Sequence, residues 1–139
     1  MTLFDDRGAV SSEFAVVMAV FFSSFVLLVV YAGRVTQAGN DVRSAAHEAA
    51  RAASLTNTSE SASAEAHRVA AANLADSGLS CAEGFEVNVD TGNFAPGGSV
   101  TVAVTCHTSL ADLSTLDVPG SKTFTGTAVE VIDTFRANP

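Results

Sequence analysis

The residues best placed to do chemistry in this chain lie near its amino terminus, around one glutamate. Glu13 directly precedes an uncharged run from Phe14 to Gly33. A helix of these twenty residues would cross a hydrocarbon core of about 30 Å. A carboxylate at that depth costs on the order of 2 to 3 kcal/mol unless it reaches water or a partner. Glu13 is therefore either a functional acid in a membrane helix or a solvated residue at the headgroup level.

The spacing around Glu13 favours the functional interpretation. Gly8 precedes the apolar segment, Glu13 is the fifth residue after it, and the aromatic Phe14 follows the acid directly. This pattern resembles the processing site of type IV pilin-like precursors, in particular the tight-adherence branch. The resemblance implies that a membrane aspartyl prepilin peptidase cuts between Gly8 and Ala9. It also implies that Glu13, with Phe14 behind it, is an assembly residue that pairs with the freed amino terminus of a neighbouring subunit.

A longer stretch resembles the TadE-like group of tight-adherence proteins. The matching segments are Arg7–Val10, Glu13–Ala15 and the Gly33–Arg34 pair, and the resemblance covers roughly residues 7–55. It implies a minor pilin or pseudopilin that takes part in assembly of a tight-adherence pilus. The implied partners are the prepilin peptidase, other pilin subunits, a pilus assembly platform and the membrane.

The same resemblance divides the chain into three expected parts. These are a cleaved leader over residues 1–8, a transmembrane helix over residues 9–33 and an extracytoplasmic α+β domain over residues 34–139. The implied orientation places the amino terminus in the cytoplasm. The positive-inside rule points the other way, because one arginine precedes the span and three follow it closely. We give the processing signal precedence over this rule.

A cleaved secretory signal is the main alternative for the first 33 residues. Such a signal needs a basic start, an apolar core of about 7 to 15 residues and a small-x-small cleavage site. Here Asp5 and Asp6 outnumber Arg7, and the apolar run is longer. These features favour a retained anchor.

The charge of the chain restricts its partners. The net charge is −8, and twelve acids against six bases follow Gly33. An acidic surface argues against nucleic acid and against docking on anionic lipid. No nucleic-acid partner is therefore expected.

Two helices are predicted from apolar spacing. Positions three and four residues apart continue the apolar seam beyond the span, so the first helix should run from about Ala9 to Ser54. A second helix should run from about Ser59 to Ser77. We expect Asn57 and Glu60 to cap its start and Gly78 to end it.

Three strands are predicted after the helices, and they complete a pilin-like α+β fold. Residues 85–90 and 100–106 alternate apolar and polar positions across a glycine-containing loop, which indicates an antiparallel hairpin. The hairpin places Cys81 near Cys106, which favours a disulfide between them over two buried free thiols. Residues 123–135 read as a third strand with a bulge near residues 128 and 129. The segment 108–118 should form one or two helical turns.

No catalytic or metal site is predicted. His47, His67 and His107 lack metal-ligand spacing, and surface positions explain them better. There is no Gly-x-Ser-x-Gly turn and no glycine-rich phosphate loop. We therefore expect neither an enzyme nor a cofactor. Two alternatives remain open: a single-pass membrane-anchored extracytoplasmic binding module without a pilus role, and an enzyme whose site gathers His107, Asp112 or Glu130.

Overall fold

The fold is α+β and pilin-like, with a long amino-terminal helix, a second helix and a small antiparallel sheet. The computed structural model describes residues 7–82, 84–114 and 119–135, with side chains from residue 12 onward. The chain divides into two compact units between Gly33 and Arg34. The elements in chain order are α1 Arg7–Ser54, α2 Ser59–Ser77, β1 Phe85–Asn93, β2 Ser99–Ser109, α3 Leu110–Leu113 and β3 Ser121–Val131.

Helix α1 confirms the predicted continuation of the apolar seam. Within the second unit its buried face consists almost entirely of alanine, which lets neighbouring backbones approach closely. Ala52 is only half-buried, and the next residue, Ala53, takes the core position. The buried residues of this face are Ala38, Val42, Ala45, Ala46, Ala49, Ala50 and Ala53.

Helix α2 has the predicted bounds but a different amino-terminal cap. Thr58, in extended conformation, is the N-cap: the backbone N–H of Ser61 donates to Thr58 Oγ1 at 3.2 Å. The Thr58 N–H donates to Ser61 Oγ at 3.3 Å, which completes a capping box. The predicted Asn57 and Glu60 pair is wrong, because the adjacent Thr58 and Ser61 satisfy these donors one position later. Gly78 ends the helix in the left-handed region at φ 72°, as predicted.

The three strands form one antiparallel sheet in the order β1-β2-β3. Phe85 pairs with Cys106 and Asp90 with Thr101, so the predicted hairpin is confirmed. Alternate residues of β2 are fully buried and form the centre of the inner face. These are Val100, Val102, Val104, Cys106 and Thr108.

The predicted bulge in the third strand is wrong. The register between β2 and β3 is uninterrupted, and β3 ends at Val131. The apolar alternation slips because Val129 and Val131 point away from the core, with 59% and 71% of their surface exposed. The irregularity lies instead between Asp90 and Asn93, where β1 enters the hairpin loop.

Both helices cover the inner face of the sheet. A Cβ atom at Gly126 of β3 would lie 2.6 Å from the carbonyl oxygen of Val42 and 2.7 Å from Cα of Arg43, so α1 contacts the strand backbone directly. At the other edge of the same face, α2 packs on β1, and the ring of His67 lies 5.2 Å from that of Phe85.

A disulfide joins the segment just before β1 to the carboxyl-terminal half of β2. Cys81 and Cys106 are bonded with an S–S distance of 2.01 Å and Cα atoms 5.4 Å apart, as the hairpin predicted. The sulfur of Cys106 also contacts Thr108 Oγ1 at 3.4 Å. Beyond this point, α3 is a single turn, and residues 115–118 of the predicted helical segment lie outside the described residues.

Candidate functional site at the start of α1

The residues predicted for processing and assembly lie on one helix. Helix α1 begins at Arg7, so Gly8 and Ala9 belong to its first turn and the leader residues 1–6 lie outside the described residues. A helical rise of 1.5 Å per residue places Glu13 about 7.5 Å along the axis from Gly8. Two turns of helix therefore carry both the expected cleavage bond and the acid.

Glu13 is a free carboxylate within the described part of the chain. Its side chain is exposed, and no described residue donates a hydrogen bond to it or forms an ion pair with it. Phe14 behind it has 65% of its surface exposed. Both side chains are thus available to a group from outside this chain.

The apolar part of α1 is uncovered. None of the side chains in its most apolar window is buried by the rest of the described chain, and the helix is long and apolar enough to cross a membrane. Its large side chains, including Phe21, Phe22 and Leu28, have about half or more of their surface exposed. This helix is a candidate membrane anchor, consistent with a single-pass membrane protein.

Two serines in the middle of this helix donate hydrogen bonds from their hydroxyl groups to the backbone of the preceding turn. Ser23 Oγ donates to the carbonyl oxygen of Ala19 at 2.8 Å, and Ser24 Oγ donates to that of Val20 at 2.9 Å. Such bonds to the preceding turn remove a polar donor from the lipid phase. The pair therefore does not prevent membrane insertion.

A polar cleft of about 340 Å³ lies within the second unit, beside the carboxyl end of α2. Its lining includes Arg34, Asp41 and Asp112, and the buried Thr108. Neither His107 nor Glu130 lines it, so the cleft does not gather the three residues considered for an enzyme site. Sequence reasoning missed this cleft because it joins four segments of the chain.

The three histidines occupy exposed positions, as predicted. His107 Nδ1 lies 2.8 Å from the hydroxyl of Thr123 on the outer face of the sheet, and His67 stands against Phe85. Among the residues that the structure describes, no group of three or more His, Cys, Asp or Glu side chains could hold a metal ion.

An ion pair on α2 shifts the pKa values of its two members. Arg68 donates to both carboxylate oxygens of Glu65, at 2.9 and 2.6 Å. This hydrogen bonding lowers the pKa of Glu65 and raises that of Arg68. The pair lies on the solvent face of the helix, where ion pairs contribute little.

An uncovered apolar helix that continues into a disulfide-linked α+β unit defines the class of pilin-like proteins with a candidate membrane anchor. Within this class, residues 8–51 match the family model described as TadE-like protein, which confirms the resemblance. The match covers less than half of the chain and includes Gly8, Glu13 and the apolar segment. A TadE-like segment is typical of proteins associated with the Tad pilus. No curated protein and no solved structure matches the chain.

Proposed function

We propose that this protein is a minor pilin or pseudopilin that takes part in assembly of a tight-adherence pilus after cleavage between Gly8 and Ala9. The observation that carries the proposal is the TadE-like match, which begins at Gly8 and spans the acid and the apolar helix. The major-pilin role fits less well, because the chain adds a disulfide-linked α+β unit to the helix.

The exposed carboxylate of Glu13 supports the assembly part of the proposal. Cleavage after Gly8 creates an α-ammonium group on Ala9, and at membrane depth such a cation needs a counter-ion. Glu13 has no partner of its own among the described residues, so it is available to the amino terminus of a neighbouring subunit. Pairing between subunits would neutralise both charges.

The processing step is tested by the mass of the intact protein extracted from the membrane of its own host. A chain that starts at Ala9 supports cleavage by a prepilin-type peptidase. A chain that starts at Met1 contradicts it, and one that starts near Arg34 indicates a secreted domain. As a control, Gly8→Leu leaves the apolar segment unchanged and should retain Met1.

The assembly step is tested separately with Glu13→Gln, which removes the charge and keeps the shape. We expect the variant to be processed and to accumulate in the membrane, but to be depleted from sheared pili by about tenfold or more, as loss of a poorly solvated ion pair implies. The matched control is Glu48→Gln, an exposed acid further along the same helix. Normal incorporation of the Glu13 variant would favour the anchored binding module.

A further inference from the structure

A groove of about 520 Å³ lies at the end of the second unit where α1 stops. It separates the loop between α1 and α2 from the end of β1 and the hairpin loop that follows this strand. The cleft beside Arg34 lies at the opposite end of the same helix pair. The side chains that form its two walls are Asn57, Thr58 and Ser59 on one side, and Thr91, Asn93 and Phe94 on the other.

Both walls are held in place by hydrogen bonds that do not involve a ligand. The capping box fixes Thr58 at the start of α2. In the hairpin loop, the Phe94 N–H donates to the Thr91 carbonyl at 3.2 Å, and the Gly97 N–H donates to Ile132 at 3.0 Å. Because a preformed site loses little conformational entropy on binding, the groove is suited to a weakly interacting small ligand.

The groove presents uncharged polar groups that are not used elsewhere. The side-chain amides of Asn57 and Asn93 and the hydroxyls of Ser59 and Thr91 have no hydrogen-bond partner among the described residues. Each amide offers two donors and an acceptor, and each hydroxyl offers both functions. Phe94, half-buried, is the one aromatic residue among the described residues that line the groove.

The described residues that line the groove carry no charge. None of them is Asp, Glu, Lys or Arg, although the net charge of the protein is −8. An anionic ligand would find no counter-charge among these described residues, and the net negative charge of the protein would repel it. A neutral sugar has groups that suit this lining. Its adjacent hydroxyl groups form hydrogen bonds with amides and hydroxyls, and the apolar C–H face of its ring packs on an aromatic ring.

We propose that this groove binds a neutral oligosaccharide through Asn57, Asn93 and the ring of Phe94. Its volume lies within the range of about 300 to 1,000 Å³ typical of small-molecule sites. The binding does not depend on cleavage at Gly8 or on Glu13. Its failure would leave the pilus proposal intact, and failure of the pilus proposal would leave the groove unaffected.

The test uses the full chain in lipid nanodiscs, because alkyl glycoside detergents carry sugar headgroups. Maltose, cellobiose, lactose and diacetylchitobiose are titrated while backbone amide resonances are recorded, with sialyllactose as the anionic probe. We expect saturable shifts from at least one neutral disaccharide, confined to the two loops, with a Kd of about 1 mM or tighter. No saturable shift from any of the four, or stronger binding of sialyllactose, would overturn the proposal.

Two substitutions locate the site without threatening the fold. Asn57→Asp and Asn93→Asp keep the side-chain size but replace the NH₂ donor with an acceptor, and each should raise the Kd about tenfold. An acid before α2 also favours the helix dipole, so Asn57→Asp should remain folded. The matched control is Asn88→Asp, an exposed residue of β1 outside the groove, and an equal loss there would overturn the assignment.

Discussion

At the scale of single residues, Gly126 decides how closely α1 approaches the sheet. A Cβ at this position would lie 2.6 Å from Val42 O and 2.7 and 2.9 Å from Cα and N of Arg43. All three are backbone atoms, which cannot rotate away as a flexible side chain can. We therefore expect Gly126→Ala to lower the free energy of unfolding by about 1 to 3 kcal/mol, measured by thermal unfolding of the full chain in detergent micelles.

Gly39 provides the matched control, since it is a glycine of α1 that faces the same strand. A Cβ there would lie 3.6 Å from Cδ1 of Phe124, which is an ordinary contact. Alanine in a helix interior is favoured over glycine by roughly 0.5 to 1 kcal/mol, so Gly39→Ala should be neutral or stabilising. If Gly39→Ala lowered the free energy of unfolding as much as Gly126→Ala, the close approach of α1 would not explain the effect at position 126.

At the scale of elements, the start of α2 distinguishes two neighbouring caps. Thr58 accepts the N–H of Ser61, whereas Asn57 makes no hydrogen bond within the described chain. Thr58→Ala should cost about 1 kcal/mol and Asn57→Ala only a few tenths. Urea unfolding curves measure the difference as a shift in midpoint with an unchanged slope. A larger loss of stability from Asn57→Ala than from Thr58→Ala would instead support Asn57 as the cap of α2.

At the scale of the whole molecule, the uncovered helix is expected to anchor the protein. Phe22→Arg combined with Phe25→Arg places two cations in the apolar segment, at a cost of roughly 2.5 to 3.5 kcal/mol each. The double variant should move to the soluble fraction on alkaline carbonate extraction, while the unaltered protein stays with the membranes.

The same two charges placed beyond the apolar segment test whether position matters. Gln37→Arg combined with Asn40→Arg keeps the spacing on exposed sites of α1 and should remain membrane-bound. If the Phe22 and Phe25 variant stayed as firmly attached as this control, membrane spanning by the helix would be wrong.

Local and periodic features were predictable from the sequence. The bounds of α2, the continuation of α1 to Ser54 and the hairpin follow from apolar spacing, because helices and strands repeat every 3.6 and 2 residues. The Cys81 and Cys106 pairing followed from the hairpin, since an antiparallel register brings its two ends together. Gly8, Glu13 and the apolar run were visible because they lie within one continuous helix.

Other features depend on contacts between distant segments. The outward side chains of Val129 and Val131 were misread as a bulge, because periodicity does not show which valines an edge strand leaves exposed. Capping by Thr58 was missed because adjacent polar residues compete for the same donors. The groove between the two loops could not be found from sequence, since its walls are more than thirty residues apart and meet only when α2 packs on β1.

The sequence by itself thus determined the helices, the hairpin and the acid at the start of the apolar helix, because short-range periodicity and spacing encode them. Only the tertiary structure decided which faces are buried and which loops meet, because long-range packing selects those contacts.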